Sequence, residues 1–214
     1  MATDDQTDGR RVRGDATRRK VAHEAAMIAT THGLDSITVG TLATATGVSK
    51  SGILTVFGNR EAIQVAAVAE ARNIYRDTLL ANVYDAAAGA PRLRVLIDSW
   101  VDNLRAGVFR GGCFMAATTA EYGRRDGPVA DEVRKLKRGW LVLLETELSA
   151  AGSPNPAADA FAIDAFLTAG NTRRELFADD GELECARELA LGVIDRLPVD
   201  QRREVPPRGS HVQP

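Results

Sequence analysis

The sequence predicts an all-α protein, with a small N-terminal helix-turn-helix domain followed by a larger helical body. Three observations predict it. Apolar residues recur at helical spacing along nearly the whole chain, with no alternating strand pattern, internal repeat or coiled-coil register. All eight prolines sit at segment boundaries or in the C-terminal tail, and none interrupts an apolar-periodic run. The stretch Val39 to Phe57, VGTLATATGVSKSGILTVF, places small and apolar residues at the offsets of two crossing helices.

Residues 1–14 (acids, then Arg10, Arg11 and Arg13) read as a disordered arm. It is either a basic arm lying along a DNA backbone or minor groove, or a solvated tail. Residues 15–62 form the helix-turn-helix domain. Asp15 to His32 is the first helix, with Val21, Ala25, Ile28 and Ala29 on one face and Gly33 as its stop. Thr38 caps the second helix, which runs to Thr46. Ala43 is small enough for a close helix crossing, and Gly47 supplies the left-handed turn residue. Ser49 caps the third helix, which Val48, Ile53 and Val56 pin against the second. Lys50, Ser51, Gly52 and Thr55 are left on its outer face, free to enter a DNA major groove. An ordinary helical hairpin is the bland alternative.

Residues 63–197 form the body. Asn59 caps a fourth helix, Arg60 to about Ala86, long enough to leave the first domain and enter the second. A helix from about Arg92 to Val108 carries Leu93, Leu96, Ile97, Trp100, Val101 and Leu104 on one stripe. Gly111-Gly112 precedes the short helix CFMAATTAEY, and Gly127-Pro128 opens another with Val133, Leu136, Trp140 and Leu144 on one face. Two helices follow, about Ala157 to Phe177 and Gly181 to Leu197. They are apolar over most of their circumference, so each must be covered on more than one side. The expected cover is a second copy of the chain, a homodimer through residues 157–197. The tail, 198–214, holds four of the eight prolines and reads as disordered. Its run VPPRGSH, Val205 to His211, looks like an expression-vector protease site and is equally compatible with a natural tail.

Composition narrows the function classes. The 214 residues are 44% hydrophobic, enough for a real core, with no apolar run of membrane-spanning length and no apolar segment at the start. Cys113 and Cys185 make neither a disulfide framework nor a zinc pattern, so a reducing, cytoplasmic setting is expected. His23, His32 and His211 have no acid or cysteine at ligand spacing, and no nucleophile–base pattern appears. No metal, cofactor or catalytic residue is therefore expected. The net charge is −2, unevenly spread: from Gly9 to Arg60, eight Lys/Arg face three acids, a local +5 against −7 elsewhere. A basic end on an acidic body is the footprint of a local DNA-binding module. In the body, Trp100, Phe114, Met115, Trp140 and Phe166, with Thr118 for orientation, are the candidate lining of a pocket for a small apolar or aromatic effector. Filling the core is the competing reading of the same residues.

Thr17 to Ile63, TRRKVAHEAAMIATTHGLDSITVGTLATATGVSKSGILTVFGNREAI, resembles the N-terminal domain of the TetR family of one-component transcriptional repressors. GGCFMAATTAEYGRRDGPV is similar to the regulatory domain of one subgroup. The resemblance implies a homodimer that binds an inverted-repeat operator in double-stranded DNA. It also implies an effector pocket in the body whose occupation changes the separation of the recognition helices. Thr38, Lys50, Ser51, Gly52 and Arg60 fall on positions the family uses around DNA. Arg60 starts the fourth helix, whose N-terminus can hold a phosphate. The chain departs from the family at Leu54, Thr55 and Val56, where a tyrosine, an aromatic residue and a histidine usually stand. The alternative reading is thus a TetR-like ligand- or partner-binding protein with degenerate operator recognition. Thr55 retains a hydroxyl donor and a methyl that can meet a thymine methyl.

Overall fold

The structure, a computed structural model, describes residues 4–198, and side chains from Gly14 onward. Among the described residues it is all-helical: α1 (Asp4–His32), α2 (Val39–Thr46), α3 (Lys50–Phe57), α4 (Arg60–Thr78), α5 (Ala90–Arg105), α6 (Phe114–Tyr122), α7 (Pro128–Ala150), α8 (Pro156–Phe177) and α9 (Gly181–Asp195). Single 3-10 turns lie at Leu34–Ser36 and Val83–Asp85. None of these helices is long and apolar enough to cross a membrane.

Two boundaries differ from the sequence reading. The backbone is helical from Asp4, where a disordered arm over 1–14 was expected. No proline or turn cluster separates Asp4 from Asp15, so a helix anchored further along extends N-terminally. Gly9 and Gly14 tax it by only about 1 kcal/mol each. The side chains of Arg10, Arg11 and Arg13, and the tail beyond Pro198, lie outside the described residues. α4 stops at Thr78 rather than near Ala86. The N–H groups of Leu79 and Leu80 both close on the Tyr75 carbonyl at 2.9 Å, and Leu79 and Val83 turn into the core.

The first helix packs on α4 through small side chains. Ala22, Ala25, Ala26 and Ala29 are buried on one side, Ala67 and Ala71 on the other, so the two backbones approach closely. The buried apolar residues form one continuous cluster from Val21 through Ile53 and Trp100 to Ile194, with no seam between the two units. At the far end, α5 begins on α7. Glu147, almost fully buried, accepts from the Gly89 N–H and the Arg92 guanidinium, each at 2.8 Å. A buried carboxylate needs such partners, and it fixes the α5 N-terminus in return.

Candidate nucleic-acid interface and effector cavity

The helix-turn-helix forms as the spacing requires. Thr38 and Thr41 make a reciprocal capping box on α2, and Gly47 turns the chain at φ 71°. The Ser49 hydroxyl accepts the Gly52 N–H at 3.1 Å, which starts α3. Leu42 and Ile53 are fully buried between the helices, while Ala43, Val48 and Val56 pack at the edge of the core. Lys50, Ser51 and Thr55 are exposed and Gly52 is half-exposed, so the predicted outer face is on the surface. Several of these groups also hold the local fold. The Thr38 hydroxyl belongs to the capping box, and the Thr55 hydroxyl donates to the Ser51 carbonyl at 2.8 Å. Leu54 is 44% exposed beside them. Arg18 from α1 donates to the Val56 carbonyl at 2.7 Å and lies over the Phe57 ring, fixing the end of α3.

Arg60 stands at the start of α4, as predicted, but its guanidinium turns to the Asp35 carbonyl and sits 3.9 Å from the Asp35 carboxylate. Asp35 is the centre of a junction that sequence reasoning missed. The Glu121 carboxylate, near the end of α6, accepts the Leu34 N–H at 2.7 Å and the Asp35 N–H at 2.8 Å. The Tyr122 hydroxyl donates to Asp35 Oδ1 at 3.0 Å, and Arg125 donates to Oδ2. Gln64 of α4 donates to the Leu34 carbonyl at 2.8 Å. The Arg125 guanidinium holds the Asp35 carboxyl below the usual carboxylate range, with Tyr122 and Arg60 adding to the effect and burial opposing it. Burial, and then the bond to Asp35, push the Tyr122 phenol up to about 12. The turn between α1 and α2 is therefore clamped by the body. A second contact lies at Gly111, whose backbone runs against Thr30. A Cβ there would stand 2.2 Å from the Thr30 carbonyl oxygen, so only glycine fits. Beside it Arg110 pairs bidentately with Glu24 of α1 at 2.6 and 3.0 Å.

The body holds a cavity of about 150 Å³ between α4, α6 and α7. Tyr75, Leu79, Leu80 and Met115 line one side, and Leu136, Gly139, Trp140 and Leu143 the other, with Arg72 and Lys135 also on the lining. Of the six residues the sequence offered for an effector pocket, Met115 and Trp140 line it. Trp100, Phe114, Thr118 and Phe166 are not among its lining residues. Phe114 is fully buried and packs against Phe109 with ring centroids 5.6 Å apart. Thr118 is fully buried and donates to the Phe114 carbonyl at 2.8 Å. Trp100 is core on α5, and Phe166 packs half-buried on α8. Aromatic character pointed to these residues, but helix phase decides which side of the bundle each one fills. Tyr75 is a buried residue of the cavity lining. Its hydroxyl accepts the Met115 N–H at 3.3 Å and lies 3.5 Å from Cys113 Sγ, and burial raises its pKa, so it stays a neutral phenol.

The last helices divide their apolar residues. Leu183, Ala190, Val193 and Ile194 are buried within the chain. Phe161 (75%), Leu176 (72%), Phe177 (58%) and Leu189 (48%) are exposed on α8 and α9. Ala165 and Ala169, one and two turns beyond Phe161, share its exposure. Among the described residues no three His, Cys, Asp or Glu side chains come together as a metal cluster would.

Residues 89–190 match the family model described as the tetracyclin repressor-like C-terminal domain. None of the curated proteins matches the chain. Among solved structures, a TetR-family transcriptional regulator from Chloroflexus aurantiacus is similar at 20% identity and a TM-score of 0.78, over 86% of this chain and 97% of that one. A TetR-family regulator from Agrobacterium tumefaciens superposes with a TM-score of 0.75 at 14% identity, over 87% of this chain and all of its own. AibR, in complex with isovaleryl coenzyme A and operator DNA, matches at 17% identity and a TM-score of 0.65, over 85% and 97% of the two chains. Residues 89–190 therefore carry a tetracyclin repressor-like C-terminal domain, and the described chain has the fold of these TetR-family regulators.

Proposed function

We propose that this chain is a cytoplasmic, homodimeric transcriptional regulator, a repressor that binds an inverted-repeat operator and is released from it by a small effector. The observation that carries the reading is the capped α3 with Lys50, Ser51 and Thr55 outward, at the basic end of an otherwise acidic chain. Two recognition helices, one per protomer, would read half-sites about 34–36 Å apart. The exposed apolar stripe on α8 and α9 supports pairing with a second copy, and the cavity behind Met115 and Trp140 supports an effector. AibR, with its acyl-coenzyme A and operator, is a relative in which both ligands occur.

The test is fluorescence anisotropy with a DNA fragment from upstream of the gene, at two salt concentrations. If Lys50 reads a guanine, Lys50→Ala should weaken binding by about 1–3 kcal/mol and relax one position per half-site. If it meets phosphate alone, binding should weaken uniformly and the salt slope should fall by about one. Unchanged binding at both salt concentrations would remove Lys50 from the interface. One observation favours a second reading. Leu54 offers an apolar surface where the family has tyrosine, and the Thr55 hydroxyl is bonded to its own backbone. A protein that binds all oligonucleotides alike, with only a salt-dependent term, would be the ligand- or partner-binding variant with degenerate recognition.

A further inference from the structure

We propose that the cavity between α4, α6 and α7 takes a small carboxylate with an apolar body, seated body-inward, with its anionic end on Arg72 and Lys135. This rests on the reading of that cavity as the effector site and narrows it to one ligand class.

The walls allow no polar ligand body. The Tyr75 hydroxyl is engaged by Met115 and Cys113, and the Trp140 indole N–H donates to Asp164 at 2.9 Å. The other wall side chains, Leu79, Leu136 and Leu143 among them, have no polar atom. A neutral polar group placed inside would lose its water and find no partner. The remaining polar lining residues are Arg72 and Lys135, and both lean on one carboxylate. Arg72 Nη2 is 3.3 Å from Glu132 Oε2, and Lys135 Nζ is 2.6 Å from Glu132 Oε1. Two cations against one anion leave a positive charge unmatched. The Arg72 and Lys135 side chains are 47% and 66% exposed, so the cavity opens to solvent beside them. An apolar cavity of this size, about 150 Å³, accommodates a benzene-sized body. A single-ring or short-chain carboxylate fills the volume and supplies the charge the mouth lacks, whereas a cation meets two like charges there.

The experiment is isothermal titration of the full chain with two matched pairs, phenylacetate against phenylacetamide and hexanoate against hexanamide. Each acid should bind about tenfold more tightly than its amide, the scale of one partly exposed charge-assisted contact. The Arg72→Met/Lys135→Met double variant should bring each acid down to its amide and leave the amides unchanged. Gly139→Leu sets a side chain on the cavity lining, where a Cβ has no neighbour within 4 Å, and should weaken all four. Acids and amides that bind equally, or an acid preference that survives the double variant, would overturn the charge assignment while the cavity remains an effector site. If none of the four probes binds, or if Gly139→Leu leaves binding unchanged, the effector reading of the cavity falls and the proposal falls with it.

Discussion

Glu121→Ala should loosen the helix-turn-helix from the body more than any other single truncation at the junction. The Glu121 carboxylate accepts two backbone N–H groups, at 2.7 and 2.8 Å, from a turn that belongs to the DNA-binding unit. Hydrogen bonds to a charged group contribute about 1.5–3 kcal/mol each when buried. Here the Leu34 bond is half-buried and the Asp35 bond is exposed, so water replaces part of the loss. Taking the low end for the first and less for the second gives about 2 kcal/mol for Glu121→Ala. Glu121→Gln, which keeps one acceptor oxygen, should cost about half of that. Urea unfolding at neutral pH, with the denaturant slope checked for change, measures both.

Gly33 makes the test sharper. It holds φ +84°, and a Cβ on it would stand 2.9 Å from Glu121 Oε1. With ψ 158° it lies where essentially only glycine is found, so Gly33→Ala costs about 1–3 kcal/mol of backbone strain and also displaces the carboxylate. In the Gly33→Ala/Glu121→Ala double variant the clash disappears and only the strain and the lost bonds remain. The two single losses should thus sum to more than the double loss, by about 1 kcal/mol. Strict additivity, or a Glu121→Ala loss below about 0.5 kcal/mol, would refute the clamp as a stabilising contact.

Acid should open the same junction. The Asp35 carboxyl titrates below its ordinary value, so its contribution is complete above about pH 4 and is lost as pH falls through the depressed value. Arg125→Met should lower stability at neutral pH and flatten that acid limb, the two proteins converging as Asp35 protonates. Leu189→Glu should give a folded monomer by light scattering, because Leu189 is exposed. Ile194→Glu should fail to fold, because Ile194 is 3% exposed inside the chain. The sequence alone treats the two alike. Glu147→Ala should cost about 3 kcal/mol or more in thermal or urea unfolding, since it strands Arg92 and the Gly89 N–H. Gly139→Ala should stabilise α7 by about 0.5–1 kcal/mol, since its Cβ meets nothing.

The helices were legible because their signals are local. Thr38, Ser49 and Asn59 each cap the helix they precede, and Gly47 turns where the offsets require it. Apolar period gave the buried face of α5 residue by residue, from Leu93 to Leu104. Local signals failed where the outcome depends on partners distant in sequence. Nothing in the sequence around Leu80 says that the chain must turn there, because the cause is Leu79 and Val83 reaching the core. Nothing around Asp4 stops the first helix.

The cavity shows the same limit in sharper form. Trp100, Phe114 and Trp140 are equally aromatic in the sequence, and all three are buried. Only Trp140 faces the cavity, because α7 turns that side toward α4, whereas Phe114 at the start of α6 is turned toward Phe109. Arg72 and Lys135 read as solvated charges on helix surfaces, and Glu132, three residues before Lys135, reads as an ordinary helix pair. Their excess charge acquires meaning only when α4 and α7 bring Arg72 to Glu132 across sixty positions of sequence. The same holds for α6. Met115 on its first turn lines the cavity, and Glu121 on its last turn grips the α1–α2 turn. A helix of nine residues is a stiff rod about 14 Å long. A shift of the α6 backbone at Met115 should therefore be carried to Glu121 and its two bonds to Leu34 and Asp35, and a ligand that only rotates the Met115 side chain should leave them in place.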